Sequence, residues 1–206
     1  MNPSSLFVSR GGLKLEAALD AFHLDVTGFT CADLGCNIGG FTDCLLRRGA
    51  AKVYAIDTGY GALAWKLRND PRVVVMERTN ALHVETPVTG IDLAVIDLAW
   101  TPQRYAIPGA LRWKPGRIIT LIKPHYEATP DRSQRGVLDE SESAKVTDRV
   151  LEELPALGVK VMGHIRSPIF GGAGKKRVGN VEYLALLSPS GQGEGEGSQE
   201  PPRPVG

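Results

Sequence analysis

The sequence predicts an α/β fold, a doubly wound sheet of seven strands that is covered by helices on both faces and whose last strand is antiparallel. Seven short apolar runs rich in β-branched residues alternate with amphipathic stretches over residues 1–187. Near-continuous apolar strands are typical of a parallel sheet that is buried on both faces. A Gly-rich segment, and not a helix, precedes the last run, so the final strand is expected to enter antiparallel.

The elements follow in regular order. The predicted strands are Thr30–Leu34, Lys52–Asp57, Arg72–Glu77, Ile91–Ile96, Arg117–Ile122, Val159–Ile165 and Val181–Leu187. The predicted helices are Leu13–Phe22, Phe41–Arg48, Gly61–Asn69, Pro102–Trp113 and Ser141–Leu157. From Ser188 to Gly206 the chain is almost wholly Gly, Pro, Ser, Gln and Glu, which cannot bury enough apolar surface to offset its ordering entropy. We therefore predict one domain over residues 1–187 and a disordered tail over 188–206.

Composition excludes several classes of protein. Apolar residues make up 42% and charged residues 23%, which is too apolar for general disorder. Lys and Arg total 24 against 23 Asp and Glu, and this near-neutral balance excludes a bulk polycation but allows a local basic patch. No apolar run is long enough for a membrane span, and the N-terminus lacks the pattern of a signal peptide. The spacing of Cys31, Cys36 and Cys44 fits neither a disulfide framework nor a metal clip, so we expect reduced thiols, no metal site and a cytoplasmic protein.

A glycine-rich loop follows the first predicted strand, in the segment ADLGCNIGGFT that begins at Ala32. Open α/β sheets bind ligands beyond the carboxyl ends of their strands, and glycines let the backbone approach the ligand closely. The spacing matches neither the dinucleotide fingerprint nor a phosphate loop. Asp33 suits a ligand ammonium group, and Asp57 at the end of the next strand suits ribose hydroxyls. An amino acid–ribose ligand without a phosphate is S-adenosylmethionine; the alternative is a plain Gly-rich turn with a helix-capping Asp.

Five segments carry a resemblance to a known family: VSRGGLKLEAAL, the block from Asp33 to Ala81, VIDLAW, LIKPHYEA and GNVEYL. Together they resemble the TlyA-type, or hemolysin A, branch of the FtsJ-like RNA 2′-O-methyltransferases, over about residues 7–187. The resemblance implies a Rossmann-like class I methyltransferase fold, S-adenosylmethionine as cofactor, and RNA as substrate, with ribosomal RNA or ribosomal subunits favoured. That family usually carries an N-terminal S4 RNA-binding domain, which we expect this chain to lack. Substrate docking is therefore expected to come from the catalytic domain or a partner protein, or the substrate is a different RNA.

The resemblance also implies a catalytic Lys-Asp-Lys-Glu set, here Lys14, Asp97, Lys123 and Glu182. Asp97 and Lys123 end two predicted strands on the side of the glycine-rich loop, and Glu182 starts the antiparallel strand. An alcohol is a poor nucleophile at neutral pH, so methyl transfer to a ribose hydroxyl needs a base, and a lysine can serve if its pKa falls. We assign Lys123 as the base and the other three as its partners. Alternatively, each is an ordinary surface charge.

The cofactor positions that carry over from the family are Gly35, Gly39, Phe41, Asp57, Asn80 and Asp97. Asn80 would face the adenine edge, where FtsJ relatives have Asp, and an amide can still hydrogen-bond the exocyclic amine. Phe41 would pack beside the cofactor, or else belong to the core.

Basic and aromatic residues near the predicted edge are candidates for RNA contact: Arg10, Trp100, Lys175, Lys176 and Arg177. Trp100 stacks on a target base or walls the pocket, and His125, Tyr126 and Glu127 are expected to shape that pocket. The segment Asp97–Trp100 is also similar to the loop of base amino-methyltransferases, although both prolines of that loop are absent. The competing functions are a methyltransferase for another acceptor and a binding protein without turnover.

Overall fold

A computed structural model describes residues 6–88, 90–128, 137–172 and 179–191. The seven strands are β1 Thr30–Leu34, β2 Lys52–Ile56, β3 Val73–Met76, β4 Leu93–Ile96, β5 Arg117–Ile122, β6 Val159–Arg166 and β7 Tyr183–Pro189. The six α-helices are α1 Gly11–Ala21, α2 Gly40–Arg47, α3 Trp65–Arg68, α4 Gln103–Leu111, α5 Pro124–Glu127 and α6 Glu140–Glu153. A 3-10 turn at Leu154–Leu157 follows α6.

The strands form one sheet in the order β3-β2-β1-β4-β5-β7-β6. Strands β1 to β5 pair in parallel, and β7 runs antiparallel to both of its neighbours. The prediction of a doubly wound sheet with an antiparallel last strand is therefore confirmed. The chain reverses its direction of travel across the sheet between β1 and β4, and ligands of open α/β sheets bind beyond the carboxyl ends of the strands at such a switch point.

Successive residues of the central strands bury their side chains on opposite faces of the sheet. On β5, Ile119 and Leu121 pack with α1 and α2, while Ile118 and Ile122 pack on the other face, against the layer that contains Ile107 of α4. Each large aliphatic side chain buried in this way contributes about 2 kcal/mol to folding. Both faces are covered, which explains the near-continuous apolar strands of the sequence.

Several boundaries differ from the sequence prediction. The helix predicted over Gly61–Asn69 is reduced to α3, because Gly61 has a φ of 72° and Ala64 a ψ of 137°, and neither is helical. The short α5 was not predicted. Strand β7 continues to Pro189 and not to Leu187, since Ser188 and Pro189 pair with β6. Residues 188–191 of the predicted tail therefore belong to the described part of the chain, and residues 192–206 lie outside it. Within the described ranges, no helix is both long and apolar enough to cross a bilayer.

Candidate functional site

A cleft of about 1180 Å³ opens at the carboxyl edge of the sheet, at the switch point. It brings together most of the residues that the sequence singled out. The predicted site residues that line it are Arg10, Lys14, Asp33, Gly35, Phe41, Asp97, Trp100, Lys123 and Glu182. These residues come from five separate segments of the chain. The topology of the sheet places all five segments at the same edge.

Gly35 forms the floor of the cleft, directly after β1. Its φ is 94°, a left-handed conformation that suits glycine. A Cβ at this position would lie 2.6 Å from the carbonyl oxygen of Asp97, which follows β4. The segments that follow β1 and β4 therefore approach each other so closely that no side chain fits between them. The loop after β1 is held in place as Gly35 and Cys36 both donate from their backbone N–H groups to the carbonyl of Ile56.

Asp33 is fully buried and lies at the base of the cleft. Its Oδ2 accepts a hydrogen bond of 2.7 Å from the hydroxyl of Thr42, while its Oδ1 is buried without a hydrogen-bond partner among the described residues. Burial raises the pKa of Asp33 to about 7, although the bond from Thr42 works in the opposite direction. A buried carboxylate oxygen without a donor fits a cationic group of a ligand, because such a group would supply the missing donor.

Lys123 and Asp97 form an ion pair at the wall of the cleft. The Lys123 Nζ lies 2.5 Å from the Asp97 Oδ1 and donates a further hydrogen bond of 3.2 Å to the carbonyl of Leu98. Burial of Lys123 disfavours its charged form, but Asp97 and Glu182 outweigh burial and raise the pKa of this lysine above its ordinary value. Lys123 is therefore protonated in the free protein. A lowered pKa, as expected from the sequence for a base, is not found for this lysine in the free protein.

Lys14 and Glu182 form a second ion pair in the same cleft. The Lys14 Nζ lies 2.5 Å from the Glu182 Oε2, and the two side chains are 10% and 4% exposed. Glu182 directly precedes β7, whose pairing of Tyr183 with Ile122 of β5 brings Glu182 alongside Lys123. The Glu182 carboxylate rests against the backbone of Gly171, where a Cβ would lie 1.8 Å from its Oε1. The absence of a side chain at residue 171 therefore makes room for this carboxylate.

Aromatic rings lie beside these charges. Trp100 is 50% exposed and stacks on Tyr126, with ring centroids 4.8 Å apart and an interplanar angle of 30°. The Lys123 Nζ lies 5.8 Å from the centroid of Tyr126, so the stacked pair is next to the Lys123–Asp97 ion pair. Trp100 has a φ of 59°, which is uncommon for a residue with a large side chain. The surrounding structure thus holds this ring at the cleft in a strained backbone conformation.

Three predicted cofactor residues, Gly39, Asp57 and Asn80, do not line the cleft as described. Gly39 is the N-terminal cap of α2 and packs against the side chains of Leu63 and Leu67. Asp57 accepts hydrogen bonds from the backbone N–H of Asn37, which lines the cleft, and from that of Gly59. Asn80 is exposed and accepts from the backbone N–H of Leu82.

The remaining predicted contacts have mixed outcomes. Phe41 belongs to the core cluster beneath α1 and α2 and also touches the cleft, so both of its expected roles are compatible with its position. Arg10 lines the cleft and donates to the carbonyl of Phe170. Lys175, Lys176 and Arg177 lie outside the described residues.

Sequence reasoning missed the apolar residues at the mouth of the cleft. Val137 and Phe170 line it and are 56% and 48% exposed. No periodic pattern marks them, because both lie in loops. The closeness of Gly171 to Glu182 was also missed, although the glycine-rich segment that begins at residue 171 was an available signal. His125 and Tyr126 line the cleft as expected, whereas Glu127 is not part of its lining and contacts α4.

The chain is similar to several known proteins. The family model of the FtsJ-like methyltransferases matches residues 7–183. The chain is 41% identical over 187 residues to the 16S/23S rRNA (cytidine-2'-O)-methyltransferase TlyA of Mycobacterium tuberculosis, covering 88% of this chain and 68% of that protein. It is 36% identical over 191 residues to Hemolysin A of Brachyspira hyodysenteriae, covering 87% of this chain and 75% of that protein. A putative hemolysin from Lactococcus lactis has a solved structure that matches with a TM-score of 0.78 at 40% identity, covering 88% of each chain.

Proposed function

The chain belongs to the FtsJ-like methyltransferase family, and we propose that it transfers a methyl group from S-adenosylmethionine to a ribose 2′-hydroxyl of ribosomal RNA in the cytoplasm. The relative from Mycobacterium tuberculosis, named as an rRNA (cytidine-2'-O)-methyltransferase, supports this substrate class. The observation that carries the proposal is the pairing of Lys123 with Asp97 and of Lys14 with Glu182 in one cleft beside the glycine-rich loop.

The residues at the base of the cleft fit the proposed cofactor. Asp33 offers a buried carboxylate oxygen that suits an ammonium group, and Gly35 leaves its backbone open to close approach. Asp57, which accepts a hydrogen bond from Asn37 of the loop, is proposed to contact the ribose, and Asn80 the adenine. Gly39 and Phe41, at the start of α2, are proposed as further cofactor contacts. When bound, S-adenosylmethionine supplies an electrophilic methyl group on a positively charged sulfur.

The two ion pairs have different roles in the proposed reaction. Lys123 is protonated in the free protein. The positively charged sulfur of S-adenosylmethionine, if bound beside Lys123, would lower the pKa of this lysine and favour loss of its proton to solvent. The neutral amine of Lys123 would then accept the proton of the 2′-hydroxyl as that oxygen attacks the electrophilic methyl group that bound S-adenosylmethionine would supply. Lys14, paired with Glu182, holds the hydroxyl in line for attack, and Asp97 orients the Lys123 amine.

RNA is proposed to enter across the mouth of the cleft. Trp100, stacked on Tyr126, offers a half-exposed ring face to a base, and Arg10 offers a cation for phosphate. Lys175, Lys176 and Arg177 are proposed as further phosphate contacts. Such contacts hold RNA without reading its sequence, so the choice of nucleotide depends on the pocket around Trp100.

Methyl transfer from labelled S-adenosylmethionine to purified ribosomal RNA and ribosomal subunits tests the proposal. We expect label in the RNA, and alkali-resistant dinucleotides that locate the methyl group on ribose. Lys123→Ala should abolish transfer while binding the cofactor nearly as well as the wild type. Lys52→Ala is the matched control, because Lys52 is exposed at the opposite end of the sheet.

Three results would contradict the proposal. Label on a base or on another acceptor would favour a different methyltransferase, and no transfer to any ribosomal RNA with intact cofactor binding would favour a binding protein. Full turnover by Lys123→Ala would overturn the assignment of the base.

A further inference from the structure

Glu127 joins the two loops that carry the proposed catalytic residues. One loop follows β4 and contains Asp97 and Trp100; the other, which follows β5, is taken to include Lys123 and the short helix α5 with Tyr126. The Glu127 Oε1 accepts a hydrogen bond of 2.8 Å from the backbone N–H of Gln103. Glu127 is the last residue of α5, and Gln103 is the first residue of α4, so this bond connects the ends of the two loops.

The bond supplies a hydrogen-bond acceptor that the N-terminal cap of α4 lacks. The first N–H groups of a helix have no partner within the helix, and they attract negative charge. Pro102 occupies the N-terminal cap of α4 and offers no side-chain hydrogen bond to it. The carboxylate of Glu127 therefore caps α4 from another segment of the chain. Burial raises the pKa of Glu127, although the hydrogen bond from Gln103 opposes this shift.

Further contacts tie the same junction to the sheet. The side chain of Gln103 is buried, donates 3.1 Å to the carbonyl of Leu121 on β5, and accepts 2.6 Å from the hydroxyl of Thr120. Arg149 of α6 donates 3.0 Å to the carbonyl of Glu127. The junction thus fixes α4 and α5 against β5, only a few residues from Lys123.

On the cleft side of the junction the same two loops meet again, and the Lys123 Nζ donates 3.2 Å to the carbonyl of Leu98. The Lys123 Nζ contacts Asp97 at 2.5 Å, and Trp100 stacks on Tyr126 at 4.8 Å. Both contacts depend on the relative position of the two loops, because each contact takes one partner from each loop. The bond between Glu127 and Gln103 connects the same two loops outside the cleft.

We propose that Glu127 is a positioning residue for methyl transfer, which caps α4 and thereby holds the loop of Asp97 and Trp100 in register with the loop of Lys123 and Tyr126. This inference rests on the proposed function, since methyl transfer is one of its readouts. Glu127 acts through these residues and is not part of the lining of the cleft.

The test compares Glu127→Ala with Glu127→Gln. The glutamine retains an acceptor oxygen for the Gln103 N–H, whereas the alanine removes it. Asp92→Ala is the control, because the Asp92 Oδ2 also accepts a bond of 2.8 Å from a backbone N–H, that of Thr30, at the opposite edge of the sheet. For Glu127→Ala we expect kcat to fall between about 10- and 100-fold with the KM for S-adenosylmethionine within about twofold, because misplacement of reacting groups affects turnover. Glu127→Gln should stay within about threefold of the wild type, and Asp92→Ala within about twofold at comparable loss of stability.

Hydrogen exchange gives a second readout that does not depend on activity. Amides of residues 98–106 should exchange about tenfold faster in Glu127→Ala and at the wild-type rate in Glu127→Gln. If the wild type transfers no methyl to RNA, the proposed function fails, while the exchange rates still test the connection between the loops. Unchanged exchange and turnover in Glu127→Ala, or equal losses in the alanine and glutamine variants, would overturn the role of Glu127.

Discussion

Lys14 and Glu182 are 168 positions apart in the chain, yet the Lys14 Nζ donates to the Glu182 Oε2 at 2.5 Å in a buried ion pair. The bond connects α1, which precedes the sheet, with the residue that leads into β7, the last strand. It therefore joins the first and the last elements of the described fold at the proposed site. Its charges have a structural role in addition to the proposed catalytic one.

Breaking this ion pair from one side should destabilise the protein more than removing it altogether. A buried charge that loses its partner costs about 3 kcal/mol or more, whereas two apolar side chains of similar volume can replace a buried pair at little cost. We expect Lys14→Met and Glu182→Leu each to lower the free energy of unfolding by about 3 kcal/mol, and the double variant to lose less than the sum. Urea denaturation of the four proteins measures the coupling. Strict additivity would show that the two charges do not stabilise each other.

Gly171 should be intolerant of even a methyl group. A Cβ there would lie 1.8 Å from the Glu182 Oε1, so Gly171→Ala must displace the carboxylate from Lys14 or the loop from the cleft. We expect methyl transfer to fall by about tenfold or more, since one charged partner of the site moves. Gly163→Ala on β6 is the matched control, because its nearest neighbour, a carbon of Phe22, would lie at an ordinary 3.5 Å. Equal activity in the two variants would contradict the close contact at Gly171.

Asp33 should make the stability of the free protein depend on pH. Its pKa is raised from 3.8 to about 7 by burial, so the folded protein binds a proton at Asp33 more tightly than the unfolded chain does. Stability from this group is therefore fully present below about pH 4 and is lost as pH rises through 7. The loss is on the order of 4 kcal/mol.

Asp33→Asn removes this titration while keeping an oxygen that can accept from Thr42. Denaturation midpoints of both proteins between pH 4 and pH 8 measure the difference. We expect the advantage of the asparagine variant to grow across this interval. An advantage that stays constant with pH would show that Asp33 does not have a raised pKa.

The sequence predicted the fold well because its signals are local. The short buried runs of β1, β2, β4 and β5 and the glycine-rich loop after β1 each depend on a few adjacent residues. The resemblance placed Lys14, Asp97, Lys123 and Glu182, and the structure brings all four into one cleft. The features that the sequence did not predict depend on contacts between distant segments. The pKa of Lys123 is raised because Asp97 and Glu182 approach it, and the bond from Gln103 to Glu127 links residues 24 positions apart without any periodic signal.

Trp100 should matter for RNA and not for the cofactor. Its ring is 50% exposed at the cleft and is supported from behind by Tyr126, which suits stacking on a base. Stacking of a base on an aromatic ring contributes about 1–3 kcal/mol, so Trp100→Ala should raise the KM for RNA between about 5- and 150-fold. Trp100→Phe should keep most of the affinity, and both variants should bind S-adenosylmethionine like the wild type.

Trp65 provides the control for Trp100, because it is 76% exposed on α3 and is not part of the lining of the cleft. Both substitutions remove an exposed indole, but only Trp100 stacks on a residue of the loop that carries Lys123. Steady-state kinetics with RNA as the varied substrate should therefore separate Trp100→Ala from Trp65→Ala. If both variants lost RNA affinity equally, the effect would belong to exposed aromatic surface in general and not to a base platform at the cleft. If neither lost any, Trp100 would act as a wall of the pocket, since its ring would then exclude water without contacting the RNA base.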